Sequence, residues 1–299
     1  MNRRHFLLSS VATLTVTFAT TSLYAEEWKP VLDPEGLGLL EGAVIVDIRS
    51  RKAYAKGHIP GAVNAPYGSW RGPKENPGRV LSSEQLTERL QSIGIESDST
   101  VVVVHQGSNE TEFGSAARVY WTLKSAGLTR IAILNGGTQA WVEAGKPIDT
   151  ETPEILRSKE TFQLAGTWMI SREGVFDVVT GKRDAILVDA RPVAFFEGEK
   201  KHGRAVAAGT LEGALNITHD SWFVGSKTEI VTGPQVLEIA EQAGYRPGGP
   251  ELVSFCNTGH WAATNWFALS ELAGIEGVRL YPESLVGWTN AGSALVQGG

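Results

Sequence analysis

The chain has 299 residues, 42% of them hydrophobic and 20% charged, enough for two domains of ordinary size that each bury a core, and nothing in it suggests disorder. A formal net charge of −6 weighs against nucleic acid or an anionic membrane surface as the main partner. A single cysteine, Cys256, excludes an internal disulfide.

At the N-terminus, Arg3-Arg4 is followed by Phe6-Leu7-Leu8, a small and apolar stretch without acids, then Leu23-Tyr24-Ala25 ahead of Glu26-Glu27. This pattern predicts an export signal over residues 1–25, and the paired arginines resemble a twin-arginine signal. The stretch is rich in Ser and Thr and weak for a spanning helix, so no stable membrane anchor is expected. A periplasmic or otherwise exported protein follows. In that compartment a free thiol is a liability unless it is buried or used.

Beyond the signal, short apolar runs alternate with helical stretches. Residues 44–46, 101–104 and 131–134 read as strands, and 83–93 and 115–126 as helices. In the second half, 252–255 reads as a strand and 262–272 as a helix. Alternation of this kind predicts an α/β fold, a mainly parallel sheet with helices on both faces. Residues 150–165 are polar with one proline and no apolar period, and read as a linker between two such domains, 26–149 and 166–299.

The two halves repeat each other. Asp47-x-Arg49 matches Asp189-x-Arg191, each closing an apolar run; Gly61-Ala62-Val63-Asn64 matches Gly213-Ala214-Leu215-Asn216. The Asp-to-Gly spacing is 14 in the first half and 24 in the second, so the second copy carries a ten-residue insert. The stretch from Ser99 matches that from Glu251, which puts His105 where Cys256 stands. Leu134-Asn135-Gly136-Gly137 with Trp141 matches Leu280 to Glu283 with Trp288.

These motifs, GHIPGAVN at 57–64, Asp-x-Arg ending a strand twice, LNGGTQAW at 134–141 and a strand-to-cysteine loop in the second half, resemble the tandem-domain rhodaneses. That family comprises thiosulfate and 3-mercaptopyruvate sulfurtransferases, which carry sulfur as a persulfide on one cysteine. The resemblance covers roughly residues 30–292. It implies two rhodanese-like domains, an inactive first copy and a catalytic Cys256 in the second. It also implies a small-molecule sulfur donor, with a thiol, cyanide or a protein as acceptor.

The residues support the same chemistry independently. A sulfur-transfer nucleophile must be a thiolate, whereas a free cysteine, with a pKa of about 8.5, is mostly protonated at neutral pH. A tight loop from Cys256 to Trp261 at the positive end of a helix would favour the thiolate and then the persulfide anion. Gly259 lets the backbone curl around the sulfur. Asn257 and Thr258 offer backbone N–H groups and short polar side chains, or are ordinary turn residues. His260 either steadies the thiolate or is a solvated loop residue. Trp261 is a candidate pocket wall, and Trp266 reads as packing. The matching loop of the first copy, HQGSNETEFGS, reads as longer, lacks a thiol and carries Glu110 and Glu112, which would repel one. His105 there reads as a hydrogen-bonded structural residue. Recurrence of the Asp-x-Arg pair in the copy without a cysteine favours a structural role for it.

Against the family pattern, Phe195 stands where a mercaptopyruvate enzyme has a carboxylate-binding arginine, and Ala207 and Ala208 where a second is expected. The insert instead carries Lys200, Lys201, His202 and Arg204. Of these, Arg204 is singled out as the side chain that would meet a dianionic donor such as thiosulfate. A phosphatase on the same fold is disfavoured, because Ala262 and Ala263 occupy the places of its anion-clamping arginine. The alternatives kept open are 3-mercaptopyruvate as donor and a partner-specific persulfide carrier. With no metal cluster or nucleotide fingerprint in the sequence, neither metal nor cofactor is expected.

Overall fold

The computed structural model describes residues 28–223, 225 and 228–298, so the expected export segment lies outside the described residues. Two parallel sheets organise the chain. The first contains β1 (Val31–Leu32), β2 (Val44–Asp47), β3 (Val63–Asn64), β4 (Thr100–Val104) and β5 (Arg130–Leu134), in the spatial order β1-β5-β4-β2-β3. The second contains β6 (Ala185–Asp189), β7 (Leu215–Asn216), β8 (Glu251–Phe255) and β9 (Arg279–Leu280), in the order β7-β6-β8-β9. Every ladder in both is parallel. The first sheet's helices are α1 (Pro34–Gly38), α2 (Arg51–Tyr54), α3 (Ser83–Ser92), α4 (Glu110–Ser125) and α5 (Gly137–Glu143). The second's are α6 (Arg172–Val179), α7 (Val193–Phe196), α8 (Gly233–Gln242), α9 (Trp261–Phe267) and α10 (Ser284–Asn290). Two rhodanese-like α/β units fit this layout, as the repeated motifs imply.

Strand alternation explains how the cores divide. Val101, Val103, Ile131 and Ile133 point into one core, while their neighbours Val102, Val104, Ala132 and Leu134 point into another. In the second sheet Val188, Leu252 and Leu280 face the first of these cores, and Leu187, Val253 and Phe255 face a third. The largest core therefore belongs to both copies. Helix α4 lies inside it with Phe113, Ala117, Arg118, Tyr120 and Trp121 all buried, because its faces meet both its own sheet and α9. Residues 150–165, outside any helix or strand, are strapped to α3: Gln91 Nε2 donates to the Glu160 carbonyl at 2.8 Å, and Thr87 exchanges hydrogen bonds with the Phe162 backbone.

Each Asp-x-Arg pair is an ion pair beside its sheet. Arg191 donates through Nε and Nη2 to Asp189, the shortest distance being 2.6 Å, and Nη2 also reaches the Gly209 carbonyl at 2.8 Å. Arg49 binds Asp47 and the Gly57 carbonyl in the same way. The paired asparagines complete the motif: Asn64 Nδ2 donates to the carbonyls of Asp47 and Arg49, and Asn216 Nδ2 to those of Asp189 and Arg191. Together they pin the crossover that follows the strand.

One helix boundary departs from expectation. Helix α4 begins at Glu110 rather than Ser115, because Asn109 caps it, accepting from the Glu112 N–H at 3.1 Å, and acidic Glu110 and Glu112 suit the first turn. The two β-to-α loops are therefore equal in length, 105–109 and 256–260, and the first is not longer. Likewise α9 ends at Phe267 and continues as a π-helical turn, Ala268–Leu272.

Asp189→Ala would leave a buried guanidinium without its counter-charge, and is expected to cost about 3–5 kcal/mol. Urea unfolding checks this; a loss below about 1 kcal/mol would mean that Gly209 and solvent suffice for Arg191.

Candidate active site

Cys256 directly follows β8 and is only 1% exposed. Its backbone is held by the start of α10. The Cys256 N–H donates to Ser284 Oγ at 3.0 Å, and the Leu285 and Val286 N–H groups donate to the carbonyls of Cys256 and Asn257. Ser284 donates in turn to the Tyr281 carbonyl at 2.9 Å. In the first copy the equivalent position is Gly137, at φ +59°, and Ser284 keeps that left-handed backbone at φ +50°. A side chain in this region costs on the order of 1–3 kcal/mol. The exchange supplies a hydroxyl that satisfies the cysteine's own N–H.

The rest of the loop is gripped by the first copy, a feature that the sequence reading did not include. Arg71 Nη2 donates to the Thr258 carbonyl at 2.6 Å, and Arg118 Nη1 to the Gly259 carbonyl at 3.0 Å. Arg118 Nη2 holds the Gly78 carbonyl at 3.0 Å, and its guanidinium lies 4.9 Å from the Trp121 ring centre. Burial, and then the neighbouring Arg71, push the Arg118 pKa down to about 9, which leaves it charged at neutral pH. Gly259 has φ +66°, and a Cβ there would lie 2.3 Å from both Arg118 Nη1 and the Pro282 carbonyl oxygen. Glycine is thus demanded twice, by the turn and by the arginine.

His260 is neither a solvated residue nor a cation for the sulfur. Its Nε2 lies 2.8 Å from the Thr111 carbonyl, which can only accept, so Nε2 carries the proton and Nδ1 accepts from the Tyr67 hydroxyl at 2.9 Å. Desolvation, and then Arg71, hold its pKa down to about 3, so the ring is neutral. It pins the loop to the first copy, and Gly114 provides the room: a Cβ there would stand 3.1 Å from His260 Nε2.

Trp261 packs among polar and aromatic side chains at the start of α9. Its ring stacks on His219 at 4.5 Å and meets the edge of Phe195 at 6.2 Å, while Nε1 donates to Thr111 Oγ1. Asn257 is buried, its Oδ1 without a partner among the described residues, and Thr258 contributes the carbonyl held by Arg71. Trp266 packs in the core and donates to the Val278 carbonyl. Arg204 is exposed, and its backbone N–H donates to His202 Nδ1. The insert is anchored where the Val206 N–H meets Thr289 Oγ1 of α10, and among the described residues Arg204 makes no hydrogen bond to the cysteine loop.

In the first copy, His105 is buried as a structural residue, and the Leu134 backbone is the hydrogen-bonding group that acts on its ring, although neither ring nitrogen makes a hydrogen bond of ordinary geometry among the described residues. It packs against the edge of Phe113 at 5.7 Å, and desolvation pushes its pKa down to about 4. Glu112, expected to repel a thiolate, instead accepts from the Ser108 N–H and hydroxyl.

Comparison with known proteins agrees with the two-sheet fold. The rhodanese-like domain family matches residues 36–144 and again 178–291. The chain belongs to the rhodanese family. Among curated relatives, a thiosulfate sulfurtransferase of Pseudomonas aeruginosa is 28% identical over 267 residues, 87% of this chain and 94% of that one. The sulfur carrier protein TtuD of Thermus thermophilus is 29% identical over 258 residues, 79% of this chain and 84% of that one. Among solved structures, the anaerobic ergothioneine biosynthesis enzyme of Chlorobium limicola with trimethyl histidine aligns with a TM-score of 0.78 at 20% identity, covering 90% of this chain and 70% of that one. An EanB structure bearing a cysteine persulfide, with ergothioneine, aligns with a TM-score of 0.76 at 21% identity, covering 87% and 66%.

Gly259→Ala should cost about 2 kcal/mol or more, since strain and collision act together. Denaturant unfolding measures it; a loss under about 0.5 kcal/mol would show that Arg118 and Pro282 yield freely. His105 adds a pH dependence. Above its ordinary value of 6.5 both folded and unfolded chains hold it neutral, but between 6.5 and about 4 only the unfolded chain takes up the proton. Its contribution to stability is complete above that window and is lost as pH falls through it. Urea midpoints at about pH 7.5 and about pH 5 should therefore differ less in His105→Leu than in the natural protein. An unchanged difference would contradict a neutral buried ring.

Proposed function

We propose that the protein is an exported sulfurtransferase in which Cys256 accepts sulfane sulfur from a thiosulfate-type donor and passes it to a thiol or to cyanide. One observation carries the reading. The chain's only thiol follows β8 at the carboxyl edge of a parallel sheet, inside the β8–α9 loop, which is where α/β sheets place their ligand sites.

The reaction balances without a further reagent. The Cys256 thiolate attacks the outer sulfur of thiosulfate; the new S–S bond forms as the donor's own S–S bond breaks, and sulfite leaves with the electron pair. A cyanide ion or thiolate then attacks the terminal sulfur and returns Cys256 as thiolate. Trp261, His219 and Phe195 supply an aromatic wall beside the loop, and Arg204 and its lysine neighbours offer the positive charge that draws a dianion toward it. Phe195, Ala207 and Ala208 give a mercaptopyruvate carboxylate no cation at their positions, which favours thiosulfate.

A second reading, a carrier that releases its persulfide only to a dedicated protein, is favoured by the 1% exposure of Cys256. The name of the Thermus relative, a sulfur carrier protein, is in keeping with it.

Intact mass after brief exposure to thiosulfate should show a gain of one sulfur atom that Cys256→Ser abolishes; full retention in the variant would sink the proposal. Release of that sulfur to free cyanide separates the enzyme from the carrier.

A further inference from the structure

We propose that Arg71 and Arg118 of the first copy are positioning residues that shape the cysteine loop into a cradle for the sulfur anion by drawing its carbonyls outward. The inference rests on the reading of Cys256 as the sulfur carrier.

The chemistry is that of the peptide unit. All described peptide bonds are trans, so each C=O and the N–H of the next residue point in opposite directions. Arg71 holds the Thr258 carbonyl, which turns the Gly259 N–H away from the first copy; Arg118 holds the Gly259 carbonyl, which does the same for the His260 N–H. Among the described residues, the N–H groups of Thr258, Gly259 and His260 donate to no protein acceptor. A run of unpaired N–H groups on a tight loop is an anion-binding concavity, and here it lies in the segment that begins at Cys256.

The charge of Arg118 is itself unusual. Its side chain is 1% exposed and no carboxylate pairs with it among the described residues. Its fork is spent on backbone carbonyls, those of Gly259, Gly78 and, at 3.5 Å, Pro282. The titratable groups that it feels are Arg71, Tyr67 and Cys256, and of these the thiol is the one whose anion carries sulfur. A buried cation left without an acid is destabilising unless an anion or strong dipoles answer it. The sulfur anion and the three carbonyls do so together. On this account the first copy, which has no thiol, still takes part in the chemistry.

The test is the rate at which iodoacetamide alkylates Cys256, which requires no sulfur donor, in Arg118→Met, Arg71→Met and Arg118→Lys. If the arginines only pack the loop, removing one loosens it, exposes the thiol and speeds alkylation. Positioning predicts the reverse: alkylation slower on the order of tenfold in Arg118→Met, less so in Arg71→Met, with a matching fall in the ultraviolet thiolate absorbance. Arg118→Lys, which keeps the charge but cannot span the Gly259 and Gly78 carbonyls together, should fall between. Alkylation that is unchanged or faster would overturn the inference. Should Arg118→Met fail to fold, Arg71→Met, at the half-buried end of the grip, decides the matter by the same two readouts. If alkylation slows as predicted while the natural protein takes up no sulfur from any donor, the sulfur-transfer reading fails and the positioning role stands.

Discussion

The packing of α4 against α9 is the contact on which the rest of the molecule depends. Each of these helices follows the loop at the carboxyl edge of its own sheet, so their contact brings the two loops face to face across one shared core. Phe113 meets Phe267 at 5.6 Å and Tyr120 meets it at 4.9 Å, both edge to face, and the Tyr120 hydroxyl and Lys124 close on Glu271 at the rim. Burial of this aromatic set, rather than the strap at residues 150–165, fixes how the copies sit. That geometry then decides which side chains of the first copy can reach Cys256.

The repeated frame and the divergent loops answer to different constraints. Asp-x-Arg, the Gly-Ala-x-Asn segment and the capped helices α3 and α8 recur because each solves a local problem of pinning a parallel crossover or satisfying exposed N–H groups. What differs lies at the contact between the copies. Gly137 gives way to Ser284, and His105 to Cys256. In one copy a neutral imidazole is buried against Phe113, while in the other a thiol lies in a loop whose carbonyls face guanidinium groups. One frame can hold a buried imidazole or a buried thiol at the same place.

That division explains how much was legible from sequence. The sheets, the repeat, the Asp-x-Arg pairs and the placement of Cys256 after a strand are encoded within short segments, so motif order was enough to find them. The grip on the loop was not legible, because Arg71, Arg118, Thr111 and Tyr67 lie from 141 to 193 residues away from the atoms that they hold. A signal was present even so. Arg118 interrupts Gly-Ser-Ala-Ala and Val-Tyr-Trp in a helix otherwise suited to full burial, and a cation there has to be answered from elsewhere. The start of α4 was misread for a simpler reason: acids taken as loop charges were first-turn residues behind an asparagine cap.

The same physics bears on why a copy without a thiol remains intact. A tight loop does not by itself orient its peptide planes, since the conformation that turns several N–H groups inward also turns their carbonyls toward something that must accept them. In a one-domain protein that something would be water, which screens and exchanges. Here it is a second folded body, which presents Arg71 and Arg118 at fixed positions and closes the loop's outer face with Tyr67 and Thr111. In the proposed transfer, fixed donors would not need to reorganise when charge develops on the sulfur. The first copy needs no thiol of its own in this arrangement, whereas losing its helix α4 would leave the cysteine loop without its frame.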